Sequence, residues 1–431
     1  MAVSAFELDI VRIDSEGEEV PVPLYDHYLH HYILEVGSTH AMKTLHAARL
    51  QPGTALRHMG GFHRLKEISG LGLGDFVYFG GASGAEYRHN PHKYQPPYRM
   101  VLRQPSLWAP LLHMINTGNS TRAYGGTPSP LLQCPCTPQR VFNISAGTID
   151  GHRPDPPFGG CDRKFDHDNP WAPCALIMNL ITSHYVTDRL SPPLSPISCS
   201  LSTYMGGWRC CGDGVFLIDT DRCAKQGCTD LARSEVVFKA TFHYDAVSVE
   251  EIGRSVKPLE PAGCCDVTSD SMRVGNIEYD VLPCAPGTPV EKCVDVQTTV
   301  QPVQIYNSRA DGDVLVDLAF AAPHLHVTAL SLELQDAETN RTLCKVNSTP
   351  NGGILYGGSM DAGDENNYLT GLRPCVWAGG SAPRFPRRHK LRTIAVYNAS
   401  KRQTGVMSLW LMNTANASWS AQDTLRLEAS S

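Results

Sequence analysis

Thirty-one prolines and 37 glycines interrupt the 431-residue chain at short intervals, and a long amphipathic helix is hard to find anywhere between them. What lies between the breaks is short and rich in β-branched and aromatic residues, the composition of sandwiches and jelly rolls. Phe6–Ile13 alternates apolar and polar, and Tyr28–Val36, Asp75–Gly80 and Val236–Val247 read as strands. Leu107–Ile115 fits a strand or a helix by periodicity. Later in the chain, Ile277–Val281, Val314–Phe320, His324–Gln335, Thr393–Asn398, Val406–Met412 and Thr424–Glu428 are all β-like. The expected class is all-β, with two jelly-roll-like β-sandwich domains.

A chain of this length exceeds one ordinary core. The expected division is residues 1–270 and 271–431, with a disulfide-rich loop insertion in the first domain. Apolar residues at 42% and charged residues at 19% exclude a disordered chain. A net charge of −6 argues against nucleic acid and anionic membrane as partners. No run approaches the roughly 18 apolar residues of a membrane span.

Fifteen cysteines, including the pairs Cys210-Cys211 and Cys264-Cys265, suit a disulfide framework in an oxidising compartment. Nine of them fall between Gln133 and Cys228, and the odd total leaves one thiol over. Cys134-x-Cys136 reads as two disulfide halves. Six Asn-x-Ser/Thr sequons, at Asn119, Asn143, Asn340, Asn347, Asn398 and Asn416, point to N-glycans and the same compartment. The expectation is a secreted or secretory-lumen glycoprotein whose signal peptide has been removed, since Met1–Glu7 lacks a basic start and a long apolar core.

Against that background the histidines stand out. Tyr25–Leu34 sets His30 and His31 side by side in a β-prone run. Neighbours on a regular strand point to opposite faces, so the pair acts on one object only if the strand bulges there. Without a bulge, one histidine is buried and the other exposed. His113, in Leu111–Gly118, is either a satisfied core histidine or a third imidazole for the same site. His324 and His326, at i and i+2, share one face of an extended strand, a ready bidentate grip for copper, zinc, iron or nickel. Met407 is either core filler or a soft thioether that, with two imidazoles, selects copper. Of the other histidines, His58, His63, His89 and His92 are expected in solvent. His243 is expected to be structural, and His27 to be surface or a partner to a ligand. Asp26 or Glu35 is a candidate to orient a ligand imidazole.

The order of Leu29-His30-His31-Tyr32, the run at His113, His324-x-His326 and Gly405-Val406-Met407 resembles the ascorbate-dependent type II copper monooxygenases. These are peptidylglycine α-hydroxylating monooxygenase and dopamine β-monooxygenase. The resemblance implies one copper on His30, His31 and His113 that stores and relays an electron. It implies a second on His324, His326 and Met407, where O2 and a small-molecule or peptide substrate would meet. A longer resemblance, to the plant stress-up-regulated nodulin family, runs through Phe79–Arg88, His113–Gly118, Cys134-Pro135-Cys136 and Gly206–Cys211. It continues through Ile277–Val281, His324-Leu325-His326, Gly363–Tyr368 and Thr404–Met407. It implies the fold and the secreted location and carries no activity. Two functions follow as expectations: a two-copper, O2-dependent oxidoreductase using ascorbate or another external reductant, or a non-catalytic extracellular protein on the same scaffold that binds copper, glycan or protein.

Overall fold

The computed structural model describes residues 1–50, 76–81, 88, 92–102, 105–116, 142–143, 148–149, 236–264, 267, 279–281, 283–305, 314–366, 368–400 and 403–418. These residues form an all-β protein with one described α-helix. The expected strand Thr424–Glu428, nearly all of the cysteine-rich stretch, and His58, His63 and His89 lie outside the described residues.

The first sheet is built on Ala2–Ile13, which pairs antiparallel along its length with Val237–Asp245 and at its start with Tyr98–Val101. Alternation sends Phe6, Leu8 and Ile10 inward. A second sheet runs Phe76–Gly81, His27–Gly37, Leu107–Asn116, all antiparallel; the ambiguous Leu107–Ile115 run is therefore strand. The two sheets meet through aromatic edges, with Phe79 T-shaped on Phe6 at 5.0 Å and on Phe242 at 5.1 Å.

The chain then crosses to a third sheet, in which Glu260–Cys264, Ser408–Asn416, Leu315–Leu325 and Cys375–Val376 lie in that order. A fourth, Val294–Pro302, Lys390–Asn398, Ala329–Asp336, Thr342–Asn347, covers one face of it. Trp410, Met412 and Val316 of the third sheet pack with Leu332, Leu334, Ala395 and Tyr397 of the fourth in one core. The other face of the third sheet joins a different core: Ala319, Phe320, Ala322 and Ala415 pack with Phe6, Tyr32, Phe79 and Tyr98. Leu315–Leu325 is thus buried on both faces, which is why it reads as a near-continuous apolar run.

Two buried carboxylates fasten the halves. Asp317 accepts from Arg384 at 2.6 Å, Tyr98 at 3.1 Å and Lys257 at 3.2 Å. Glu365 accepts from the Leu24 amide and from Arg88, both at 3.0 Å, while Arg88 also pairs with Asp9. Cys344–Cys375 closes a 31-residue separation and Cys284–Cys293 a 9-residue one. By the loop-entropy argument the longer closure is worth roughly 3–4 kcal/mol.

Three expectations are corrected. His324–Gln335 is not one strand: the first strand ends at Leu325, a turn follows, and Ala329–Asp336 enters a different sheet. Val406–Met412 likewise breaks at Met407, between Gln403–Val406 and Ser408–Asn416. Third, Thr39–Leu50 is a helix. It holds no Gly or Pro, the Ser38 hydroxyl caps the Ala41 amide at 3.2 Å, and Ala41, Met42 and Leu45 form its buried stripe.

Candidate metal centres

The bulge that His30 and His31 require is present. Along the ladder between His27–Gly37 and Leu107–Asn116, Leu29 is opposite Met114 and His31 is opposite His113, so His30 is the extra residue. Burial agrees with the change of phase. Leu29, Tyr32 and Leu34 all enter the same core, although strict alternation would set Leu29 against the other two. One inserted residue reconciles them. The backbone therefore gathers His30, His31 and His113 at a single rung; their side chains lie outside the described residues.

The second group stands where the Leu315–Leu325/Ser408–Asn416 ladder stops. His324 is opposite Leu409 and Leu325 opposite Ser408, so the same register carried one step further sets His326 against Met407. His324 and Met407 are buried, and the His324 and His326 rings lie 5.3 Å apart at 90°. Burial lowers the His326 imidazole to about 4, so the ring is neutral, the form that binds metals.

The step beyond the ladder is held by a side chain that the sequence did not single out. Tyr397, fully buried, accepts from the His326 amide at 2.9 Å and donates to the Met407 carbonyl at 2.7 Å. Its inward place on Lys390–Asn398 follows from alternation, but nothing in the sequence marks its hydroxyl as the bridge. Next to it the chain turns: the Ala329 amide reaches the His326 carbonyl at 3.2 Å, and Thr328 has φ of +76°. Glycine is usual there, and a β-branched residue is strained. The strain is held by the neighbouring strand, whose Asn398 amide bonds the Thr328 carbonyl at 3.0 Å.

Several other expectations change. Asp26 is committed to Arg12 at 3.0 Å, and Glu35, though buried, lies four residues, about 13 Å of strand, beyond His31. His27 is buried with its Nδ1 3.5 Å from Arg12, and burial, then the nearby guanidinium, lowers its pKa. His92, expected in solvent, sits against Phe6 at 4.4 Å and Phe320 at 4.9 Å. His243 is exposed, 3.8 Å from Glu7. Among the described residues no three His, Cys, Asp or Glu side chains converge; the second group contributes two histidines and a thioether.

Sheet layers, disulfides and these histidine-bearing strand ends define an all-β, disulfide-bonded protein. A model of the stress up-regulated Nod 19 family matches residues 198–417, and the chain belongs to that family. No curated protein and no solved structure matches it. Among the described residues no helix is long and apolar enough to cross a membrane.

Proposed function

We propose that this is a secreted copper-binding glycoprotein with two separate mononuclear sites, acting as an O2-dependent, monooxygenase-like oxidoreductase supplied by an external reductant such as ascorbate. The observation that carries the reading is the His324, His326 and Met407 group, joined by Tyr397 at the end of a strand buried on both faces. Two imidazoles and a thioether suit copper, and Cu(I) above all, better than hard cations. His30, His31 and His113 would hold the other ion, on the rung that the bulge creates. Bound copper would supply one-electron chemistry toward O2. The chain's own contribution is to keep the His326 imidazole unprotonated, to fix the register of His326 against Met407, and to bury His324 and Met407 away from water.

The jelly-roll form of the two domains, divided near residue 270, belongs to the same proposal. So do the glycans. At three sequons the asparagine side-chain oxygen already folds back on the i+2 residue: Asn347 on the Thr349 amide at 3.0 Å, Asn398 on that of Ser400 at 2.8 Å, Asn416 on that of Ser418 at 2.9 Å. Asn340 is exposed at a hairpin tip.

Metal analysis of the full chain tests the reading. Up to two coppers are expected, with His324→Ala removing about half; zinc, or no copper, overturns it. Ascorbate-dependent O2 uptake across candidate substrates then separates a catalyst from a copper-binding protein without turnover.

A further inference from the structure

Val294–Pro302 is the outermost strand of the fourth sheet, paired along its length with Lys390–Asn398 and, on its other side, with no described strand. Its alternation is inverted. Residues directly opposite each other in an antiparallel pair share a face, and Gln297, Thr299 and Gln301 stand opposite Ala395, Thr393 and Leu391 of the core side. The polar side chains on this inner face satisfy one another: Gln297 donates to Asp295 at 3.0 Å and Gln301 to Thr299 at 3.3 Å. The valines go outward. Val294, Val296 and Val300 are 37%, 54% and 44% exposed, and the half-buried Val396 and Ile394 adjoin them from the next strand. Lysines and bulges usually blunt such an edge; this strand has no lysine and keeps its register without a shift. A contiguous apolar face of this kind on a soluble chain calls for a cover.

The same face carries the means. Asn398, a sequon asparagine, lies directly opposite Val294, about 5 Å away between Cα atoms. A second, Asn347, ends the row Val296, Val396, Ser331, Asn347 that crosses the four strands, about 14 Å from Val296. The Asn398 Oδ1 is held by the Ser400 amide at 2.8 Å, a bond that leaves Nδ2, the atom that carries a glycan, outside it. From Val294 to Val300 is six residues, about 20 Å of strand, within reach of a few linked sugar rings.

We propose that the N-glycan on Asn398 lies along Val294, Val296 and Val300 and covers them, with its N-acetyl methyl and the C–H faces of its rings against the valines. The inference rests on the glycosylation proposed above. A sugar tethered beside the patch is present at high effective concentration, so weak apolar contacts suffice to hold it there.

The test uses the intact protein expressed with its glycans. Mass spectrometry of the peptide that holds Asn398 shows whether the sugar is present. Ser400→Ala removes the sequon but keeps Asn398 and its bond to the amide of residue 400. Binding of an apolar dye such as anilinonaphthalene sulfonate should then rise by about twofold or more. Ser418→Ala, which removes the Asn416 sequon on the third sheet, should leave it unchanged. Adding Val296→Thr and Val300→Thr to Ser400→Ala keeps β-branched residues on the strand and should return dye binding to the wild-type level. A peptide without sugar overturns both the glycan at this sequon and the inference. With the sugar present, the inference alone is overturned if Ser400→Ala leaves dye binding unchanged, if Ser418→Ala raises it as much, or if the valine changes do not reverse it. A dimer of the glycosylated protein that the valine changes dissociate would put a second copy on this face, and overturns it too.

Discussion

His326 and Met407 face each other one step past the last paired rung of their strands, and the Tyr397 hydroxyl joins the amide of the first to the carbonyl of the second. A single phenol thus takes the place of the missing ladder rung. Tyr397→Phe keeps the ring in the core but leaves a donor and an acceptor unsatisfied in a buried place. The expected loss is about 2 kcal/mol in urea unfolding. Copper stoichiometry at the proposed second site should fall with it, while Tyr356→Phe, whose hydroxyl donates to the Ala329 carbonyl and also meets the Thr328 backbone, should leave stoichiometry intact. Unchanged stability in Tyr397→Phe would mean that the bridge contributes nothing.

Thr328, two residues on, holds a backbone angle that glycine adopts freely, and its hydroxyl is buried without a hydrogen bond among the described residues. Thr328→Gly relieves both, against the greater freedom that glycine gives the unfolded chain. The net expectation is a gain of up to about 1 kcal/mol, measured by thermal unfolding. Thr328→Val, which keeps the branched Cβ, should show no relief of the backbone strain. A clear loss on Thr328→Gly would show that the turn is not strained.

Much of this arrangement is legible in the residues. The strand class follows from Gly and Pro punctuation, and the need for a bulge follows from two adjacent histidines that must share a target. The same alternation rule misleads at the second group. His324–Gln335 has unbroken β-propensity, so nothing local announces that the chain leaves one sheet at His326 and enters another at Ala329. The turn is imposed from outside, by Tyr397 and the Asn398 amide. Helix Thr39–Leu50 does carry a local signal, a Ser-Thr start with no breaker for twelve residues, but the composition around it outweighs that signal. The burial of His92 is hidden because loop-like neighbours say nothing about Phe320, a residue more than two hundred positions away.

Asp317 joins segments from both cores. Burial opposes its charge, but the hydrogen bonds from Arg384, Lys257 and Tyr98 outweigh this and hold its carboxyl below the usual range. Asp317→Asn leaves Lys257 and Arg384 facing a neutral group. Because both cations keep some solvent contact, the low end of the buried-pair range applies, about 3 kcal/mol. Linkage adds a second reading. A carboxylate with a lowered folded pKa stabilises above its unfolded pKa of 3.8 and loses that contribution as pH falls through the folded value. The wild type should therefore lose stability below about pH 4, and Asp317→Asn should lose less over that interval. Equal acid slopes would remove Asp317 from the account.

His92 acts in a different window. Burial between Phe6 and Phe320 lowers its imidazole from 6.5 to about 4. The folded state therefore stays neutral while the unfolded chain takes up a proton. Between these two values the unfolded state binds more protons, so stability rises with pH and falls on acidification from about 6.5 to about 4. One extra proton on the unfolded chain costs about 1.4 kcal/mol for each pH unit crossed, so this histidine alone costs up to about 3 kcal/mol at the acid end. His326 is lowered likewise, but metal binding would mask its titration, which makes His92 the cleaner probe. His92→Phe keeps an aromatic ring between Phe6 and Phe320 and removes the titration. Its unfolding free energy should exceed that of the wild type at pH 4.5 and approach it at pH 7, apart from a constant packing difference. Parallel stability profiles across that range would show that the ring is solvated after all.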